Sequence, residues 1–174
     1  MQLAVTLLGL NVHRFISEIF LTISDCKCTL LDASSSRLGK ASAAYLLIEG
    51  NWNHIARFEN NLAVLQEKLG IQAHTLRIDK LEKDIEGMPY SLEVITLEQD
   101  ETLQSILTFL NENNIAIQEF NASRYATHYN QSLIFSVKMV IIIPKEAPLL
   151  SIREQFLDFC DQLNLDAILE PIKR

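Results

Sequence analysis

The stretch that decides the fold is CTLLDASSSR, residues 28–37, because the chain writes it twice. IAIQEFNASR, residues 115–124, repeats it 87 residues later: Leu30 is answered by Ile117, Asp32 by Glu119, Ser36 by Ser123 and Arg37 by Arg124. The register extends outward. Ile16, Ile19, Phe20 and Ile23 fall at i, i+3, i+4 and i+7, one face of a helix, and Leu103, Ile106, Leu107 and Leu110 follow at the same 87-residue spacing. Apolar positions that agree across helix and strand mark two copies of one structural unit.

Each copy reads as the same series of elements. In the first, Leu3–Leu8 is a nearly continuous apolar run, expected to be a strand buried on both faces or nearly so. A helix over 14–25 follows, then the strand 28–37 and a turn at Leu38-Gly39-Lys40. Ala43–Ile48 completes a hairpin. Ile55, Phe58, Leu62 and Leu65 line a second helix ended by Gly70, and Ile71–Ile78 alternates as a fourth strand. In the second copy the strands are expected at 90–97, 115–124, 132–143 and 166–172. A polar hairpin loop is expected at 125–131, and the last helix is lined by Leu149, Ile152, Phe156, Phe159 and Leu163. The order β-α-β-β-α-β, twice over, predicts an α+β protein of two tandem ferredoxin-like domains with antiparallel sheets. The expected boundaries are 1–80 and 90–174, with LEKDIEGMP supplying a linker at 81–89.

Composition narrows the function. At 174 residues, 48% apolar and 21% charged, the chain is that of a globular protein. Net charge is −7, and it is uneven: residues 1–87 carry nine Lys/Arg against ten Asp/Glu, whereas residues 88–174 carry six against twelve. An acidic chain without a basic cluster lacks the electrostatic footprint of a nucleic-acid binder, so no direct nucleic-acid contact is expected. No apolar run approaches 18 residues and no signal-peptide pattern opens the chain, so no membrane contact and a cytoplasmic location are expected.

No catalytic set, metal site or cofactor site is expected. The chain has none of the phosphate-cradling or zinc-protease motifs. Cys26-Lys27-Cys28 is a half-site without a second pair, so its cysteines read as small packing side chains. His13, His54, His74 and His128 have no nucleophile or carboxylate at a telling spacing. Trp52 reads as an anchor in the core or at an interface. Arg37 and Arg124 end the repeated strand and could either hold a ligand carboxylate or pair with the acidic residue of the equivalent strand.

Val5-Thr6-Leu7-Leu8-Gly9, the Cys26-Lys27-Cys28 turn and Gly50-Asn51-Trp52-Asn53-His54-Ile55 give the chain a resemblance to the ACT-domain regulators. More narrowly, it resembles the glycine cleavage system transcriptional repressor family. The resemblance implies a regulator with no catalysis of its own that binds a DNA-binding regulator, with an amino acid such as glycine as effector. It also implies a ligand site at the loop after the first strand, here Leu10, Asn11, Val12, His13 and Arg14, with Arg37 and Arg124 lining it between halves or subunits. Family loops there resemble Asp-Arg-Pro-Gly; this chain has Asn11-Val12-His13-Arg14, and its second copy has Glu98-Gln99-Asp100-Glu101. Sheet edges of this kind pair side by side, so a homo-oligomer is expected.

Overall fold

Eight strands and four helices make up the computed structural model, which describes residues 1–10, 12–78, 86–97, 101–126 and 133–172, with the backbone alone at 12–14. In the first half these are β1 (Gln2–Gly9), α1 (Val12–Asp25), β2 (Thr29–Leu38), β3 (Ala41–Glu49), α2 (Trp52–Leu69) and β4 (Gln72–Ile78). The second half repeats them as β5 (Gly87–Thr96), α3 (Thr102–Glu112), β6 (Ala116–Ala126), β7 (Leu133–Pro144), α4 (Leu149–Gln162) and β8 (Asp166–Pro171). Two four-stranded antiparallel sheets result, in the orders β2-β3-β1-β4 and β6-β7-β5-β8. The tandem ferredoxin-like α+β fold is therefore the one the repeat implies. The chain divides into two compact units, 1–82 and 83–174.

Alternation decides which side chains meet the helices. Leu3, Val5 and Leu7 of β1 are buried, and Phe15, Ile19, Ile23, Ile55 and Phe58 pack onto them. Burying each such side chain contributes about 2 kcal/mol. In the second unit Tyr90, Leu92 and Val94 meet Ile106, Leu110 and Phe156 in the same way. The buried stripe of α1 is rotated from the expected one: Phe15 is in the core and Phe20 is exposed. On α4, Cys160 takes the core position and Leu163 is exposed just past the helix.

The expectation that β1 is buried on both faces is corrected. Helices cover one side of its sheet only, and Leu8 is 41% exposed on the other. Of the expected linker, residues 81–85 lie outside the described residues, and Gly87, Met88 and Pro89 already belong to β5. Gly87 is a close-approach glycine, since a Cβ there would lie 2.5 Å from the Ile143 carbonyl oxygen. Residues 127–131 of the expected polar loop are also outside the described residues, while Tyr125 and Ala126 still belong to β6.

All four helices end in one left-handed turn, at Lys27, Gly70, Asn114 and Asn164. The Cys28 N–H donates to the Ile23 carbonyl at 3.0 Å and the Lys27 N–H to Ser24 at 2.9 Å, which satisfies two end-of-helix carbonyls. Ile115 to Leu110 and Asn114 to Asn111 repeat the pattern. A bulge follows in both copies, between Leu30 and Asp32 and between Ile117 and Glu119. The repeat thus reaches down to backbone irregularities.

Candidate functional site

The side of each sheet away from the helices can be read from the strand register. Residues directly opposite one another share a face. Leu7, Ala44, Ala73 and Ser35 form a helix-side row, so the flanking rows face away. The open row at the sheet's end is Ile78-Gln2-Glu49-Thr29, and the other three are Leu76-Ala4-Leu47-Asp32, His74-Thr6-Tyr45-Ser34 and Gln72-Leu8-Ala43-Ser36. These three enclose a half-open hollow of about 340 Å³, lined chiefly by the last two. Its walls are aliphatic groups and hydroxyls with the Tyr45 ring, the Gln72 carboxamide and the His74 imidazole, and Asp32 is the single carboxylate in these last three rows. Tyr45 is 50% exposed and Leu76 67%.

The equivalent rows of the second sheet are chemically different. They read Glu170-Ser91-Val140-Glu119, Ile168-Glu93-Lys138-Asn121 and Asp166-Ile95-Ser136-Ser123. Glu93 and Lys138 occupy the places of Thr6 and Tyr45 and form an ion pair at 2.7 Å. Glu170 stands where the first sheet has Leu76, and Asp166 where it has Gln72.

β2 borders the hollow. It is the outer strand of its sheet, and all ten of its residues are exposed. One side of it pairs with β3, and among the described residues no strand pairs with the other side, which can take an added strand.

The residues expected to bind a ligand belong to both units. Leu10 is 73% exposed. Asn11 lies outside the described residues, and Val12, His13 and Arg14 open α1. Arg37 pairs with Ser42, which pairs with Gly9, so Arg37 ends up in the cross-strand row that leads into residues 10–14. It is exposed, and its Nε–H donates to the Gly39 carbonyl at 3.0 Å. Arg124 takes the matching place opposite Phe135. Neither arginine is in an ion pair among the described residues. Gly9 serves packing: a Cβ there would meet Ile71 at 2.7 Å.

Trp52 is not in the core. It is 60% exposed, with the Arg77 guanidinium 5.9 Å from the ring centroid and Glu59 paired to that Arg. Cys26 is buried and accepts a hydrogen bond from Asn61 Nδ2 at 3.4 Å. Burial pushes the Cys28 thiol pKa up, with Cys26 adding to the effect. Among the described residues no cluster of His, Cys, Asp or Glu could hold a metal ion, and no helix is long and apolar enough to cross a membrane. His54 helps start α2, its N–H donating to Asn51 Oδ1 at 2.9 Å.

Residues 1–75 match the family model of the ACT domain. The first unit is an ACT domain. Structural likeness extends over the whole chain. A protein described as a "putative glycine cleavage system transcriptional repressor" superposes with a TM-score of 0.77 at 18% identity, covering 99% of this chain and 98% of that one. An unknown protein from Galdieria sulphuraria gives 0.74 at 13% identity, with the same coverage. At such identities the likeness establishes the fold alone, here two tandem ferredoxin-like units. No curated protein matches the sequence.

The sequence reading missed the open face of the first ACT sheet: Thr6, Leu8, Tyr45, His74 and Leu76. A signal was present. Leu3–Leu8 is too apolar for a strand with one solvated face, and Leu8, on the side away from the helices, lines the hollow.

Proposed function

We propose that the chain is a non-catalytic regulatory protein that binds a protein partner, a DNA-binding transcription regulator, and responds to a small amino acid such as glycine. The observation that carries this reading is β2, a ten-residue outer strand exposed along its length beside an uncharged hollow. Such an edge accepts a partner's extended segment through main-chain hydrogen bonds. An acidic chain reaches a promoter through such a partner and not by holding DNA itself. The fold likeness to a protein described as a "putative glycine cleavage system transcriptional repressor" agrees with this reading.

A second reading makes the chain an amino-acid-binding module that regulates a metabolic enzyme. It is favoured by the shared row of Arg37, Ser42 and Gly9, which brings a guanidinium to the end of the sheet where residues 10–14 begin. Affinity capture from the native cell extract, with and without added amino acids, separates the two. Recovery of a DNA-binding regulator that is lost from a Ser35→Pro variant supports the first reading. Recovery of a metabolic enzyme supports the second, and recovery of neither contradicts both.

A further inference from the structure

We propose that the open face of the first sheet is a self-association surface, on which two copies of this chain meet sheet against sheet across a twofold axis. Three observations converge on a second copy as the occupant. The first is charge. The chain carries −7, and most of it lies in the second half. Two like-charged molecules approach with least repulsion where each presents a neutral surface. The open rows of the first sheet hold two carboxylates, both at the margin, Asp32 on the outer strand and Glu49 in the end row, whereas the equivalent rows of the second hold four carboxylates and one lysine.

Shape is the second observation. A twofold interface uses one patch on both molecules, so the patch must carry its own complement. The hollow is floored by small residues, Thr6, Ser34, Ser36 and Ala43, and Leu76 stands 67% exposed in the neighbouring row. A twofold axis between those rows seats each copy's Leu76 in the other's hollow, with the half-exposed Tyr45 rings flanking it.

Area is the third. Four strands about 4.8 Å apart, each with about 24 Å of paired length, give a face of about 450 Å² per copy. The total of about 900 Å² lies below the standard interface size and sets a reversible, concentration-dependent dimer. This association needs no other protein, so it stands or falls separately from the regulatory reading.

Sedimentation equilibrium of the full chain across micromolar to millimolar concentration tests the proposal. The wild type should self-associate. Leu76→Glu, which installs the side chain that Glu170 places on the second sheet, should raise the dimer dissociation constant about a hundredfold, because the change enters the interface twice. Ser34→Arg fills the hollow from an exposed edge strand and should act in the same direction. Ile168→Glu, an equally exposed site on the second face, should change the constant less than about twofold. Far-UV circular dichroism confirms that each variant is folded. A wild type that is monomeric throughout overturns the proposal, as does a folded Leu76→Glu variant that dimerises like the wild type or an Ile168→Glu variant that weakens the dimer more.

Discussion

Thr6 and Glu93 hold the same place in two sheets built to one plan, as do Tyr45 and Lys138, and Leu76 and Glu170. On the helix side the two sheets agree: Leu3, Val5 and Leu7 answer Tyr90, Leu92 and Val94, all buried. On the open side they part, one with a hollow among rows whose carboxylates lie at the margin and the other crossed by an ion pair. The period-two geometry of a strand separates these demands. Alternate residues that face the helices are held to apolar types by the core, and the others answer only to what covers them.

The comparison can be broken first where the two units should match. Phe58 and Phe156 are each essentially inaccessible beneath equivalent sheets. Phe58→Ala and Phe156→Ala should each cost about 3–5 kcal/mol in urea unfolding. A cost below about 1 kcal/mol at either site would show that the cores are not equivalent.

The units differ next in their buried thiols. Cys160 lies in the second core, where burial, with Asp161 adding to it, pushes its pKa from 9.0 up to about 12. The unfolded thiol ionises first as pH rises, so the contribution to stability is complete below pH 9.0 and is lost between 9.0 and about 12. The slope approaches about 1.4 kcal/mol per pH unit. Subtracting the pH profile of Cys160→Ala from that of the wild type should isolate this decline, and parallel profiles would refute it.

Smaller effects come from the helix ends. Asn51 caps α2 through the His54 N–H, while α4 starts at Pro148 with no side-chain cap. Asn51→Ala should lose about 1 kcal/mol. Lys27 adopts a left-handed conformation (φ 57°) that Asn114 fills in the second copy. Lys27→Gly should therefore gain up to about 1 kcal/mol, and Asn114→Gly less. Thermal unfolding that ranks these variants otherwise would contradict the shared-turn account. Smallest of all, Lys138→Ala should cost under about 1 kcal/mol, since its pair with Glu93 is partly solvated.

Much of the fold was legible in the sequence because the repeat preserved apolar spacing, and Gly70 marked its helix end directly. Lys27 could not be read as the same turn, because lysine carries no signal for a positive φ. Gly87 and Pro89 read as breakers, yet they lie in β5, where the Pro89 carbonyl accepts the Ile172 N–H at 3.1 Å. The candidate surface was hidden for a different reason. An apolar strand looks the same in sequence whether a second layer covers it or nothing does, and only the one-sided helix layer reveals which holds for β1.

The central claim is that the hollowed, less charged face of the first sheet is the association surface and the more charged face of the second is not. The double variant Thr6→Glu, Tyr45→Lys writes the Glu93–Lys138 pair into the first sheet and leaves the net charge at −7. Sedimentation equilibrium beside the wild type should find it folded and monomeric at concentrations where the wild type is a dimer. A folded double variant that dimerises as the wild type does would contradict the claim.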